Sequence, residues 1–522
     1  MRLKNVRAGT DLLEALESRQ LFAMGPVLSV SVGDIGYKAA EYIPNNTVRV
    51  PVTVANGGDE ASAAGARVAF FLSTDTTLDG GDLRLGGSLA LPAIEPGQSN
   101  TQTFRFVRKF VVDTASGAGR VAPGDYHIIA KIENEPNTGD VTGASADQVS
   151  YDYSFGNVDG HANVQLIAIG DGGNRINFKL TGPGTGEVKY ENGGMTVETI
   201  GTRFNSQLTI SGMTGNAGTP TIERIDIHNS LGSLRVERAN LTGAISFAGS
   251  FRNLFAENAS DLAISVSGVQ QIKNIRLNNV DDSSIVSNAS IKNLVVNSWQ
   301  DTDNVTDRIA APWMNQVRST GDFGASLALP GVGAPSIPEP TTLNIVNIGG
   351  ALKGDIVAFG DVNQLMAGSL NGSRVLISGQ LRHAHITGKV QGSTIAARHL
   401  LNVDIGNNVF NSHIAGGATF DQGVVGDVLE DFVDVSWTNG SIRALMIGGT
   451  TRQSTITAAV DPVNDVWLDG DDTFAGTGNI RNVNLKGKLI ASTFAAPTIA
   501  AKVKIEGQQV TTAGDSRFVK TL

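Results

Sequence analysis

A short apolar pattern recurs at a fixed interval through the second half of the chain. Three apolar residues occupy the first, fourth and sixth positions of this pattern, and the copies that start at residues 343, 362, 381 and 400 follow one another at intervals of 19 residues. Further copies start at residues 231, 251, 272, 291, 442, 480 and 500. Helix-pair repeats need more than about 30 residues per unit, and leucine-rich repeats need a fixed Leu and Asn pattern that this sequence does not carry. The interval therefore predicts a parallel β-helix, in which each coil of short strands stacks on the next at about 4.8 Å.

A second signal has the same period. Several copies of the apolar pattern are followed by a serine, an apolar residue two positions later and then small residues. These serines are Ser373, Ser393, Ser412, Ser454 and Ser492. Because each serine alternates with an inward apolar residue, we predict that it faces the interior near a corner, where its hydroxyl can bond to the backbone of the turn.

The repeat predicts a β-helix over residues 156–522, with coils of 19–21 residues. Roughly 14 coils would make a rod on the order of 70 Å long. Three stretches interrupt the period, near residues 301–340, 415–441 and 457–479. The first of them is rich in Pro and Gly, which favour irregular backbone. We predict lateral loops at all three.

The segment before the repeat, residues 27–155, has a different pattern. Apolar and polar residues alternate over 28–32 and 48–54, as in strands that bury one face. Further short apolar runs follow, separated by turns such as Pro123-Gly124-Asp125. Several short strands in a segment of this size predict a two-sheet β-sandwich. We expect its core to contain Val50, Val52, Val54, Phe70 or Phe71, and Ile128 or Ile129.

Four stretches of this segment resemble the CARDB family, a bacterial Ig-like domain related to cell adhesion. They read VTVANGGDEASA (52–63), FFLSTDTTLDGGDLRLG (70–86), LPAIEPGQSNTQTF (91–104) and PGDYHIIAKIENE (123–135). The resemblance covers nearly the whole segment, with a departure at Glu133, where family members usually carry Asp. It implies an Ig-like β-sandwich with an adhesive role.

The N-terminal residues 1–26 carry a second resemblance. Residues 16–22 read LESRQLF, which is similar to the LEPR-XLL motif at the start of large exported planctomycete proteins. Ser18 stands where the motif has Pro, and Phe22 where it has Leu. The resemblance implies export to the cell surface or the extracellular space. An amphipathic helix without a targeting role is the alternative.

Charge and composition exclude several classes of partner. The chain has 50 acidic and 40 basic residues, a net charge of −10, and no run of Lys and Arg. Nucleic-acid binding needs a basic surface, so we predict no nucleic-acid partner. The longest apolar stretches are too short for a membrane span. The sequence has no Cys, which excludes disulfides and thiolate metal sites.

Two groups of polar residues are candidate sites. Asp75, Asp79 and Asp82 crowd one loop of the first segment and predict either a weak Ca²⁺ site or a solvated acidic turn. In the repeat, His383 and His385 lie 19 residues before Asn402 and Asp404, so these four residues should stack on adjacent coils. They predict either a patch for metal binding or proton transfer, or a plain polar outer face. We expect no second carboxylate and no Lys or Arg to join this patch in register.

The sequence favours an exported, non-catalytic structural or adhesion protein of the cell surface or extracellular matrix. Its partner would be a surface or matrix protein or a polysaccharide. No cofactor is required, and Ca²⁺ is a candidate ligand of the acidic loop only. The alternative is a carbohydrate-active β-helix enzyme, a polysaccharide lyase or hydrolase. Glycoside hydrolysis would need paired carboxylates on one face.

Overall fold

The computed structural model describes most of the chain, including nearly all of the repeat region. The described residues are 25–35, 47–107, 110–111, 121, 124–135, 140–151, 153–169, 174–191, 194–213, 219–303, 305–335, 340–430, 434–462, 467–468, 471–499, 502–513 and 515–519. The LEPR-XLL-like residues 16–22 therefore lie outside the described residues. Strands make up 65% of the chain and helix 2%, which confirms the predicted all-β class. No described helix is long and apolar enough to cross a membrane.

The chain divides into two compact units near residue 152. The first unit contains two antiparallel sheets, one with the strand order β1-β2-β5 and the other with the order β4-β3-β7-β8. Its strands are β1 (Leu28–Val32), β2 (Thr47–Asn56), β3 (Arg67–Ser73), β4 (Leu83–Ala90), β5 (Ser99–Val107), β7 (Gly124–Glu133) and β8 (Thr142–Tyr151). The two-residue strand β6 (Phe110–Val111) falls at the boundary between the units.

The core of the first unit follows the alternation in the sequence. Along β2, every second residue is buried, including Val50, Val52 and Val54. The ring of Phe70 on β3 stacks on the ring of Phe104 on β5, with their centroids 3.9 Å apart, and so joins the two sheets. Phe70, Ile128 and Ile129 are fully buried, whereas Phe71 is half-buried. Val50, Val52, Val54, Phe70 and Ile128 thus lie in one apolar layer between the sheets, whereas Ile129 shares the opposite face of its sheet with Phe71.

The second unit begins with antiparallel strands, which corrects the prediction that parallel coils start at residue 156. Strand pairs β10–β11, β11–β14 and β12–β13 are antiparallel, and the first parallel pairs are β13–β15 and β14–β16. The first coil of a stack has no preceding neighbour, and here β11 and β12 cover its unpaired backbone groups. These strands are β9 (Ser154–Val158), β10 (His161–Ile169), β11 (Arg175–Thr181), β12 (Thr185–Glu191), β13 (Gly194–Ile200), β14 (Gln207–Met213), β15 (Thr221–Ile227) and β16 (Leu231–Phe247).

From β16 onward, strands pair in parallel with strands that lie about one repeat later in the sequence. The ladder contains β17 (Phe251–Val266), β18 (Ile272–Asp281), β19 (Ser284–Ser287), β20 (Ile291–Val296), β21 (Ser298–Gln300), β22 (Arg308–Ala310), β23 (Met314–Ser319), β24 (Ser326–Leu329), β25 (Thr341–Leu352), β26 (Ile356–Ala358), β27 (Asp361–Asn371), β28 (Arg374–Ile386), β29 (Val390–Gln391), β30 (Thr394–Ile405), β31 (Val409–Phe410), β32 (His413–Gly416), β35 (Gly440–Ile447), β36 (Thr451–Arg452), β37 (Thr455–Ala458), β40 (Gly478–Leu485), β41 (Leu489–Ile490), β42 (Thr493–Ala495), β43 (Thr498–Ile499), β44 (Val503–Ile505) and β46 (Phe518–Val519). An antiparallel strand, β45 (Gln508–Val510), pairs with β44 near the C-terminus.

The apolar pattern forms the interior of this ladder. Leu343 is in register with Val362, Val362 with Leu381, and Leu381 with Leu400. All four side chains are buried. Their stacking one strand apart is confirmed, and it buries a continuous aliphatic row that suits Leu, Val and Ile.

The serines form a second inward row. The backbone N–H of Ser393 donates to the hydroxyl oxygen of Ser412 over 3.2 Å. The Ser412 hydroxyl in turn donates to the carbonyl of Phe410 over 2.6 Å. The same two bonds recur at Ser454 and Ser492. The hydroxyls of Ser393, Ser412, Ser454 and Ser492 therefore tie their own turns to the preceding repeat, as the sequence predicts. The prediction fails at Ser373, whose buried hydroxyl has no hydrogen-bond partner among the described residues.

Two of the three predicted loops are excursions from the ladder. The first contains β33 (Ala418–Thr419), a 3-10 turn (Gln422–Val424), α1 (Val425–Glu430) and β34 (Ser436–Trp437). The second contains the antiparallel pair β38 (Val460–Asp461) and β39 (Thr473–Phe474). Within 301–340 the prediction is corrected, because β22, β23 and β24 belong to the ladder. Met314 is in register with both Ile291 and Leu343, and the unequal intervals of 23 and 29 residues hide the repeat there.

Replacing Ile386 with Asp should destabilise the ladder strongly. Ile386 is fully buried in register with Ala367 and Ile405, so the variant buries an unpaired carboxylate. We expect a loss of several kcal/mol of unfolding free energy, measured by chemical denaturation. The matched control His383→Asp places the same side chain at an exposed position of the same strand and should stay within about 0.5 kcal/mol of the wild type. An equal loss in both variants would contradict the inward apolar row.

Candidate functional site

One surface of the ladder is formed by the outward residues of the apolar-pattern strands. In each copy, the residues at the second, third and fifth positions point away from the buried row, as the burial pattern of β18 illustrates. We call these outward residues of β16–β18, β20, β23, β25, β27, β28, β30, β35, β40 and β44 the basic outer face. The fifth positions form one unbroken register: Arg235, Phe255, Arg276, Val295, Arg318, Asn347, Met366, His385, Asp404, Met446, Asn484 and Lys504.

This face concentrates positive charge on a chain whose net charge is −10. Its eleven cationic side chains are Arg235, Arg252, Lys273, Arg276, Lys292, Arg318, Arg382, Arg443, Arg481, Lys502 and Lys504. Among the described residues of the face, Asp404 is the single carboxylate. The face is therefore a positively charged surface, although no Lys/Arg run occurs in the sequence.

Most of these cations carry no counter-charge. Arg235 pairs with Glu237 over 2.7 Å, and Arg382 pairs with the fully buried carboxylate of Asp361 over 2.8 Å. The other nine form no ion pair with any residue that the structure describes. Because these nine exposed ammonium and guanidinium groups have no carboxylate partner among the described residues, they are available to an anionic ligand.

The predicted histidine patch lies within this face. His385 Nδ1 and Asp404 Oδ2 are 3.0 Å apart, and His383 Nδ1 and Asn402 Nδ2 are 3.3 Å apart. The spacing of 19 residues thus brings the four side chains together in adjacent strands, with both histidines exposed. Their role in metal binding or proton transfer stays a prediction. The residues in register with the patch on the adjacent strands are Gln364 and Met366 on one side and Met446 on the other, so no Lys or Arg joins it there. The next cations of the His385–Asp404 column, Arg318 and Lys504, each stand three register steps away.

A groove of about 600 Å³ continues from this patch toward the C-terminal end of the face. Asp404 and Met446 line its first part, Asn482 and Asn484 its middle, and Lys502 and Lys504 its end. The hairpin strand β45 contributes Gln509. The side-chain amides of Asn482 and Asn484 have no hydrogen-bond partner among the described residues. The groove therefore offers donors and acceptors to a ligand.

The predicted Ca²⁺ ligands of the first unit serve as turn caps. Thr77 N–H donates to Asp75, Gly81 N–H to Asp79, and Asp79 N–H to Asp82, at 2.6–2.7 Å. The three side chains do not bring their oxygens into one group of metal-ligating distance among the described residues. These contacts account for the acidic loop as a hydrogen-bonded turn. Ca²⁺ binding there stays a prediction.

A different acidic cluster does come together in the ladder. The carboxylates of Asp282, Asp301 and Asp307 lie within 4.8 Å of one another. Asp307 is 5% exposed, and Trp299 Nε1 donates to its Oδ2 over 2.7 Å. Burial raises the pKa of Asp307 to about 7, and the charges of Asp301 and Asp282 act in the same direction. The sequence reasoning missed this cluster, although the interval of 19 residues between Asp282 and Asp301 was a signal for it.

No protein-family model matches the chain, and no curated protein matches it.

Asp307 should make the stability of the protein fall as the pH rises from about 5 to about 7. Its pKa is raised in the folded state, so the folded protein binds the proton more tightly than the unfolded chain, and this stabilisation disappears as the pH rises through the folded pKa. The slope from this group approaches ~1.4 kcal/mol per pH unit. The Asp307→Asn side chain keeps an oxygen acceptor for Trp299 Nε1 but does not titrate, so the variant should lack that slope. The measurement is a denaturant titration at each pH, with a chelator present to remove metal ions. Parallel pH profiles for the two proteins would contradict the assignment.

Proposed function

We propose that the first unit is an Ig-like β-sandwich of the CARDB type and that the second is a parallel β-helix with coils of 19–21 residues. Two facing sheets joined by the Phe70–Phe104 contact support the sandwich. The unbroken parallel register from β16 to β44 supports the β-helix. An antiparallel set covers the backbone groups of the first coil, and at the C-terminal end the antiparallel strand β45 pairs with β44.

The function that the site supports best is that of an exported, non-catalytic structural or adhesion protein of the cell surface or extracellular matrix. The observation that carries this proposal is the basic outer face, where exposed side chains are aligned over a dozen strands rather than gathered into one enclosed pocket. A surface of this kind suits an extended partner, such as a polysaccharide or a matrix protein. Residues 1–26 would direct export, and the CARDB-like unit would bind or anchor.

Stability also fits a structural role. Each repeat contacts its neighbours through backbone pairs, the aliphatic row and the serine row, so the fold does not depend on a single site. No cofactor enters this proposal, and weak Ca²⁺ binding at Asp75, Asp79 and Asp82 remains an accessory feature of it.

The alternative, a polysaccharide lyase or hydrolase, is favoured by one observation. The His385–Asp404 pair stands at the edge of the groove, and a histidine oriented by a carboxylate can transfer protons. Glycoside hydrolysis needs two carboxyl groups, and Asp404 is the single one on the described part of the face. The enzyme alternative requires that the wild type degrade pectin, alginate or a related acidic polymer and that His385→Ala abolish this turnover.

Fractionation of cells that make the full chain tests the proposed function. We expect the protein in the surface or extracellular fraction, because residues 16–22 would act as an export signal. The double variant Leu16→Asp/Leu21→Asp should be retained inside the cell, while Leu12→Asp/Leu13→Asp serves as a control outside that motif. A wild-type protein found in the cytosol would contradict the proposal.

A further inference from the structure

We propose that the basic outer face binds an acidic polysaccharide, a polymer of uronate type, with the groove at its C-terminal end as the strongest subsite. This inference rests on the proposed adhesive function and names its ligand. The chain would lie along the ladder, across successive strands, so that its carboxylates meet the cations that the register aligns.

The distribution of charge along the face fits a polymer better than a small anion. Arg276 and Arg318 lie two strands apart in one column, and Lys273 and Lys292 lie on the strands β18 and β20 that pair directly. Adjacent strands are about 4.8 Å apart, so the cations of the face form two closely spaced groups, one on β16–β23 and one on β35–β44. Between them, on β25, β27, β28 and β30, the single Lys or Arg of the face is Arg382, which is paired with Asp361. A flexible anionic chain can contact several of these cations at once, which multiplies weak contacts into a stable complex.

The groove adds specific contacts to this general attraction. Lys502 and Lys504 point into its end as exposed ammonium groups, each able to bind a carboxylate. The amides of Asn482 and Asn484 supply both donors and acceptors, as hydroxyl groups require. Met446 is 36% exposed on the preceding strand, in register with Asn484, and offers an apolar contact to the C–H face of a sugar ring. A charged, hydroxylated and partly apolar ligand satisfies all three.

The carboxylate at the other end of the groove limits where the ligand's charges can lie. Asp404 repels a second carboxylate, and its contact with His385 fixes its position at the edge. A uronate chain therefore binds with its carboxylates toward Lys502 and Lys504 and with its hydroxyls toward Asp404.

A nucleic acid is also a polyanion, but the face lacks its usual contacts. Single-stranded nucleic acids stack their bases on aromatic side chains. Apart from the two histidines, Phe255 is the single aromatic residue on the described part of the face, and the guanidinium of Arg235 lies over its ring at 5.1 Å. The third positions of the pattern instead align the side-chain amides of Asn253, Asn274, Asn293 and Gln316, which can bond to hydroxyl groups.

Titration calorimetry of the full chain with an alginate oligomer at low ionic strength tests the proposal. We expect binding that weakens as salt is added, because charged contacts are screened. The double variant Lys502→Gln/Lys504→Gln should bind at least about tenfold more weakly. The control Lys488→Gln removes an exposed ammonium outside the groove lining and should bind as the wild type does. All three proteins should melt at the same temperature, since the replaced side chains are exposed.

Two further ligands serve as controls for charge and for ligand class. A neutral glucan of equal length should bind far more weakly than the alginate oligomer, and so should single-stranded DNA of equal charge. Absent alginate binding, binding unaffected by the double variant, or tighter binding of DNA would each overturn the inference. The proposed function is tested separately: a protein that is exported but does not bind alginate refutes only the ligand, and a cytosolic protein that binds it refutes only the location.

Discussion

The pairing of backbone N–H and C=O groups between successive parallel strands is the constraint on which the rest of the second unit depends. A short strand cannot satisfy these groups within itself, so each repeat needs a neighbour above and below it. Once one register is set, as between Leu381 and Leu400, the side chains of every repeat stack in rows. The aliphatic row excludes water, and the serine row satisfies the backbone of the corners. Antiparallel strands cover the N-terminal end of the ladder, and the antiparallel strand β45 covers β44 at the C-terminal end.

The same constraint gives the surface its chemistry. Residues such as Arg276, Arg318 and Lys504 are far apart in the sequence and carry no local charge pattern, yet the ladder places them in one column. Cations that number one or two on each face strand of β16–β23 and of β35–β44 thereby form two charged stretches of one face on an acidic chain. In the proposed function, the aligned side chains would hold a long ligand without a deep pocket.

This origin explains which features the sequence predicts and which it does not. The buried rows could be predicted because Leu343, Val362 and Leu381 repeat one residue type at one spacing. The His385–Asp404 contact followed from the same spacing. The strands within 308–329 were missed because insertions change the interval between inward residues, and the antiparallel start at 154–213 was missed because it has no repeat at all. The basic outer face was missed because charge was assessed along the chain. The cations come together only in the strand register, which bypasses excursions such as α1.

The central claim, that excursions leave one continuous register, can be tested by measuring distances between spin labels. The chain has no cysteine, so single pairs can be introduced at exposed positions of one column without background labelling. Arg276 and Asp404 are six register steps apart, which corresponds to about 29 Å. Met446 follows Asp404 by 42 residues but by one register step, so the pair Arg276 and Met446 should give about 34 Å. Narrow distributions that differ by about 5 Å would support the account. Broad distributions, or a second distance longer by several strand spacings, would contradict it.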